Sequence, residues 1–154
     1  FPTRRSSDLT PKAIAGIQCC NGLVSLNDFL SQSDILVVML PLTPQTAGLL
    51  SAERLSRLPA GAAFINVSRG AIVDQAALTE ALRAGQIAQA TLDVFDREPL
   101  PPDDPLWRMD NVLITPHLAS VAIPASAAQQ VADNIQRAAR GEPVNGQVFP
   151  ERGY

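Results

Sequence analysis

The feature that most limits what this chain can become is an alternation: apolar runs of strand length are separated by amphipathic stretches of helical length. Parallel neighbouring strands need a long crossover between them, usually a helix, so the alternation predicts a parallel sheet flanked by helices and an α/β class. Ser25 begins a short helical stretch, SLNDFLSQS, with Leu26, Phe29 and Leu30 at helical spacing. Asp34 then leads into ILVVML (35–40), apolar at every position and expected to be a strand buried on both faces. Ser51 is the expected cap of SAERLSRL; Pro59 and Gly61 end that helix, and AAFINV (62–67) is the next strand. Asp74 is the expected N-cap of QAALTEALRAG, which stops at Gly85 before the strand IAQATLDVF (87–95). A proline-rich stretch, REPLPPDDPLW (97–107), crosses to a last short strand, NVLIT (111–115). Pro116 and His117 then lead into an alanine-rich helix from about Pro124 to Arg140, and the tail from Gly141 to Tyr154 has no periodicity.

Composition narrows the partners. With 154 residues and 46% hydrophobic content the chain has the length and apolar content of one ordinary domain. The formal net charge is -3 and the 12 basic residues are scattered, which removes the electrostatic footprint of nucleic-acid binding. The longest apolar run, Ile35 to Leu40, falls far short of the roughly 18 to 20 residues that span a bilayer, so no membrane partner is expected. Phe1 to Leu9 carries arginines and serines with no apolar stretch of signal-peptide type behind it, and the expected location is the cytoplasm. Cys19 and Cys20 are adjacent, a spacing that suits neither a disulfide nor a zinc site; reduced thiols and no metal are expected.

Polar and ionisable residues gather where the strands end: Pro41 and Thr43 after the first, Arg69 after the second, Asp93 and Glu98 after the third, His117 after the fourth. Ligands of open α/β sheets sit outside the carboxyl ends of the strands, so this rim is the candidate site. His117 is the single histidine. A lone histidine is often just a satisfied surface or core residue, but its pKa near 6.5 suits proton transfer at neutral pH. Glu98 lies in a loop from which it could reach His117, fix its tautomer and stabilise its charged form; the bland alternative is a solvated loop charge. Arg69 stands in an Asn-Val-Ser-Arg-Gly turn, where Gly70 permits close backbone approach and a guanidinium can grip a carboxylate with two parallel bonds; the alternative is a surface arginine. An arginine for a carboxylate, a histidine to donate a proton and a glutamate to orient it together describe reduction of a 2-oxo acid by hydride.

The stretch from Ile65 to Ser120 resembles the second long signature region of the D-2-hydroxyacid dehydrogenases: NVSRG, DVFDREP and TPH stand in the family's order with compatible spacing. The similarity runs from about Leu9 to Tyr154, and DREPLPPDDPLW with the tail GQVFPERGY is most similar to the glyoxylate/hydroxypyruvate reductase A branch. The resemblance implies a partial Rossmann-like, doubly wound parallel sheet over residues 9–121, followed by a C-terminal helix and tail (122–154) that would return to a substrate domain; residues 1–8 are expected to be an unrelated or mis-assembled end. It implies Arg69, Glu98 and His117 as the catalytic set. Arg69 would bind the substrate carboxylate and 2-oxo group, His117 would donate the proton, and Glu98 would hold and charge His117. Around the cofactor it places Pro41 and Thr46, the backbone at Asn66 and Val67 beside the nicotinamide ribose, Ser68 next to them, and Asp93 on the nicotinamide carboxamide. Thr10 and Lys12 would lie near a 2'-phosphate, which favours NADP over NAD.

Trp107 is expected to be a packing or domain-contact residue that anchors its proline-rich loop, with no catalytic role. No GxGxxG loop occurs in this sequence, so the pyrophosphate cradle, the first strand and most of the substrate domain are expected to lie outside it. The isolated chain is accordingly expected to be a poor enzyme with an association-prone strand edge. The full enzyme would be a homodimer acting on glyoxylate or hydroxypyruvate. Two alternatives are a non-catalytic dinucleotide-sensing module of the same fold and a D-2-hydroxyacid dehydrogenase of different substrate, such as a phosphoglycerate or lactate enzyme.

Overall fold

The structure, a computed structural model, describes residues 4–8 and 11–149. In chain order these residues form β1 (Arg5–Asp8), β2 (Gln18–Asn21), α1 (Leu26–Leu30), β3 (Ile35–Val38), α2 (Ala52–Leu55), β4 (Ala62–Asn66), α3 (Gln75–Arg83), β5 (Ile87–Leu92), β6 (Val112–Ile114) and α4 (Pro124–Ala139). Single 3-10 turns occupy Leu23–Ser25, Gly70–Ile72 and Pro105–Arg108. The class is the expected α/β: β3, β4, β5 and β6 pair in sequence order, all parallel, and the chain closes with a long helix.

Register decides which side chains form the core. Leu36, Phe64, Ala90 and Val112 line up across the sheet, and they belong to one apolar cluster with Leu26 and Leu30 of α1, Leu55 of α2, and Leu78 and Leu82 of α3. The three helices thus cover a single face. On the other face Ile35 and Val37 of β3 are 62% and 47% exposed, so β3 is buried on one side and not on both as its composition suggested. An apolar run records only that a strand carries no polar side chains; whether its second face is covered depends on a further layer, and none packs there among the described residues. Nor does α4 supply it: none of its residues is buried, and Val131 and Ile135 stand exposed.

Arg5–Asp8, inside the segment expected to be a foreign end, pairs in parallel with Gln18–Asn21 as a separate two-stranded sheet. Residues of β1 and β3 line one groove together, among them Ser6, Ser7, Leu36 and Val38. Thr10 lies outside the described residues.

The helix caps follow the sequence in part. Asp74 caps α3, its carboxylate accepting the Ala77 amide at 2.9 Å. Ser51 makes no side-chain cap bond to α2, a helix of 4 residues. Ser25 turns its hydroxyl backwards, donating to the Asn21 carbonyl at 2.9 Å, because the chain is already coiled in a 3-10 turn before α1 starts. No helix among the described residues is long and apolar enough to cross a membrane.

Candidate active site

Parallel strands present all their carboxyl ends at one edge, and side-to-side bonds fix the segments that leave it. The Asp93 amide donates to the Asn66 carbonyl and the Thr115 amide to the Leu92 carbonyl, each at 3.0 Å. The Ser68 hydroxyl donates to the Leu40 carbonyl, joining the ends of β3 and β4. Asn66, buried at the end of β4, accepts the Ser68 amide at 3.1 Å and donates to the Arg69 carbonyl at 3.2 Å, so its side chain shapes the turn that carries Arg69. Gly70 then passes directly beneath the next loop: a Cβ there would stand 1.9 Å from the Phe95 carbonyl carbon. The close approach expected at Gly70 is therefore an approach of the chain to itself.

Glu98 and His117 meet as expected, with His117 Nδ1 2.8 Å from Glu98 Oε2. The other carboxylate oxygen accepts the Phe95 amide at 3.0 Å, which fixes the carboxylate plane. The His117 hydrogen bond, followed by that of the Phe95 amide, holds the Glu98 carboxyl below its ordinary value; burial opposes this, and the charges of His117 and Arg69 add to it. Glu98 is therefore a charged acceptor at neutral pH, and an acceptor-only carboxylate requires the proton on His117 Nδ1, leaving Nε2 outside this bond. Both side chains keep partial exposure, 40% for His117 and 37% for Glu98, so the pair is open to solvent. Arg69 sits at the end of β4 with its guanidinium donating to the Ser68 carbonyl at 2.6 Å, and its charge is felt at Glu98.

His117 is the one non-glycine among the described residues with positive φ, 53°. That left-handed conformation is held from beneath by Asp93, which is 2% exposed. Its carboxylate accepts the Leu118 and Ala119 amides, each at 2.9 Å, and the Thr115 hydroxyl. Burial alone would raise the Asp93 pKa; these three bonds and the charge of His117 outweigh it and leave the value lowered.

The remaining residues expected around the cofactor divide by what their side chains already do. Thr46 is fully buried, and its hydroxyl donates to the Pro41 carbonyl at 2.6 Å and accepts the Thr43 amide at 2.8 Å. It therefore shapes the PLTPQT loop from within. Pro41 and Val67 are half-buried at the rim. Lys12 pairs with Asp8 at the end of β1.

Beside Glu98 and His117 opens a cavity of about 580 Å³, walled by Phe95, Leu100, Trp107 and Ile114. The sequence did not single out these apolar residues as site residues; their one signal was position, flanking the DVFDREP and TPH motifs. Trp107 does anchor its loop, its indole N–H donating to the Pro101 carbonyl at 2.9 Å, but it also forms cavity wall. An apolar cavity that ends in one histidine and two carboxylates, Asp93 and Glu98, has the make-up of a small-molecule or cofactor site. The described residues hold no glycine-rich turn for the pyrophosphate of a dinucleotide.

The model of the D-isomer specific 2-hydroxyacid dehydrogenase NAD-binding domain matches residues 8–119. Among solved structures, a D-isomer specific 2-hydroxyacid dehydrogenase from Xanthobacter autotrophicus Py2, in complex with NADPH and MES, is 62% identical with a TM-score of 0.93. That match covers 97% of this chain and 62% of the other. An NADPH-dependent glyoxylate/hydroxypyruvate reductase from Sinorhizobium meliloti, in complex with NADP and sulfate, is 33% identical with a TM-score of 0.91, over 99% of this chain and 49% of the other. A probable 2-hydroxyacid dehydrogenase from Rhizobium etli CFN 42, with NADP, HEPES and L(+)-tartaric acid, is 36% identical with a TM-score of 0.90, again over 99% and 49%. The chain thus spans less than two thirds of the length of these relatives.

Proposed function

This chain belongs to the D-isomer specific 2-hydroxyacid dehydrogenase family, and we propose that it carries the cofactor-facing half of a reductase that converts a small 2-oxo acid, glyoxylate or hydroxypyruvate, to the 2-hydroxy acid. The observation that carries this reading is the Glu98–His117 pair, 2.8 Å apart at the mouth of an apolar cavity on the carboxyl rim of the sheet. A bound reduced nicotinamide would supply the hydride. His117 donates the proton from Nε2 to the carbonyl oxygen as it gains negative charge, and Glu98 stabilises the imidazolium before transfer and fixes the ring's orientation throughout. Arg69 releases the Ser68 carbonyl to grip the substrate carboxylate through its two-pronged guanidinium, setting the carbonyl between arginine and histidine. Phe95, Leu100 and Trp107 exclude water, which strengthens each of these interactions.

Residues 9–121 serve as the dinucleotide-binding part, with Pro41, Val67 and the backbone at Asn66 and Ser68 against the cofactor, and residues 122–154 return toward a substrate domain. NADP is the favoured cofactor, supported by the nucleotides in the Xanthobacter, Rhizobium and Sinorhizobium relatives. The reading includes a cytoplasmic homodimer. The test is NADPH consumption with glyoxylate and with hydroxypyruvate by the gene product that carries this sequence, alongside its His117→Ala variant. Turnover that the substitution lowers by about 10²–10⁴ supports the assignment. A folded, NADPH-binding protein that consumes neither acid overturns it in favour of a dinucleotide-sensing module.

A further inference from the structure

We propose that Asp93 is a positioning residue for His117: its buried carboxylate clamps the turn over residues 115–119 and thereby aims the imidazole at Glu98. The proposal deepens the reductase reading, on which its catalytic consequence rests, but the clamp itself is a property of this chain.

The geometry is specific to an ionised aspartate. Oδ1 accepts the Leu118 amide and the Thr115 hydroxyl, and Oδ2 accepts the Ala119 amide. These donors bracket His117 on both sides in sequence, so one carboxylate ties down both ends of the turn. The turn needs tying, because His117 has φ 53°, a conformation unfavourable for a residue with a Cβ by about 1–2 kcal/mol. Among the described residues the one backbone bond at His117 itself is from its amide to the Thr115 carbonyl at 3.1 Å, within the turn. All three donors require acceptors, and a carboxylate is the short side chain that is acceptor at both oxygens. Of its roughly four lone-pair directions three are filled by this turn, while Asp93 also borders the cavity beside Glu98 and His117, so the clamp is compatible with a cofactor contact through what remains. Asp93 is itself fixed to the sheet, following directly on β5 with its amide on the Asn66 carbonyl at 3.0 Å. The chain of support runs from sheet to carboxylate to turn to imidazole.

The experiment exploits His117 being the single histidine of the chain, so its ring nitrogens give unambiguous NMR signals. In Asp93→Asn an amide NH2 replaces one acceptor and faces a backbone N–H. The Leu118 and Ala119 amides should then exchange roughly tenfold faster or more, while those of Phe64 and Ala90 in the sheet stay protected. The His117 ring signals should move toward those of a Glu98→Gln variant, in which the partner charge is gone. Unchanged ring signals with an intact sheet overturn the proposal, as does an Asp93→Asn protein whose sole defect is weaker NADPH binding, the result expected if this carboxylate grips the cofactor. Should Asp93→Asn not fold, Thr115→Val removes one donor and keeps the carboxylate: faster exchange at Leu118 and Ala119 supports the clamp, and wild-type exchange there overturns it. No readout but the NADPH titration involves cofactor or substrate, so failure of the reductase assignment would leave these results standing.

Discussion

Replacing Gly70 by alanine should damage the site more than any other substitution of a single methyl group. A Cβ at this position would lie 1.9 Å from the Phe95 carbonyl carbon, 2.0 Å from its oxygen and 2.3 Å from the Asp96 nitrogen. Contacts under 3.0 Å are essentially never seen for real Cβ atoms, so the two strands of backbone must separate by about 1 Å, and no flexible side chain is available to absorb the change. Overpacking of this kind costs about 1–3 kcal/mol, and an all-backbone clash belongs at the upper end. For a chain of this length about 3 kcal/mol corresponds to a Tm lowered by roughly 6–12 °C. The two segments forced apart carry Arg69 on one side and Glu98 on the other, and a misplacement of about 1 Å is worth on the order of 10²-fold in kcat/KM. The assay pairs thermal melts with NADPH-coupled turnover measured well below either Tm. Gly85→Ala is the control, since Gly85 has φ +71° with nothing within 4 Å; it should cost about 1–2 kcal/mol of stability and leave kcat/KM alone. A Gly70→Ala protein with wild-type Tm and wild-type turnover would refute the reasoning.

Arg69→Lys keeps the charge and loses the fork, and kcat/KM for the oxo acid should fall about 10–100-fold with NADPH affinity unaltered, as judged by fluorescence titration. Asp74→Ala removes the α3 cap bond to Ala77; it should cost about 1 kcal/mol, seen as a lower urea midpoint, with activity per folded molecule unchanged. Glu98 has a folded-state value below its ordinary 4.5. A depressed value stabilises the fold above the unfolded value, and that contribution is lost as pH falls from about 4.5 through the folded one. Urea midpoints of Glu98→Gln should therefore decline less than those of the wild type across this acid range, and parallel declines would remove the assigned ion pair.

The alternation of apolar runs and amphipathic stretches was enough to read the sheet, its strand sequence and the carboxyl rim, because a parallel sheet leaves few other solutions for such a pattern. Glu98 and His117 were legible for a similar reason: each follows a strand, so topology alone brings them to one edge. What the sequence hid was coverage. ILVVML reads the same whether one face of β3 is packed or two, and only the placement of α1, α2 and α3 shows Ile35 and Val37 exposed. Short pairings were hidden as well, since QCCN in β2 has no periodicity to signal a strand. The walls of the cavity went unread because Phe95, Leu100 and Ile114 look like any core residues until their neighbours are known.

Polar residues on the rim illustrate a more general point about reading sites. Thr46, Asn66, Ser68 and Asp93 are all polar, all near strand ends and all buried, which from sequence makes each a candidate to touch a ligand. Burial of a polar group is costly unless its bonds are made internally, and each of the four makes them: Thr46 to the loop of Pro41, Asn66 to Ser68 and Arg69, Ser68 to Leu40, Asp93 to the turn of His117. Arg69, Glu98 and His117 differ by keeping surface open to solvent while held by neighbours. The division is therefore physical: satisfied buried groups hold the rim in shape, and the partly exposed charged ones are those to which the proposed function gives the substrate. Side-chain variants of the first group should thus reach activity at least in part through the geometry of the second, seen as a fall in kcat/KM with the sheet intact.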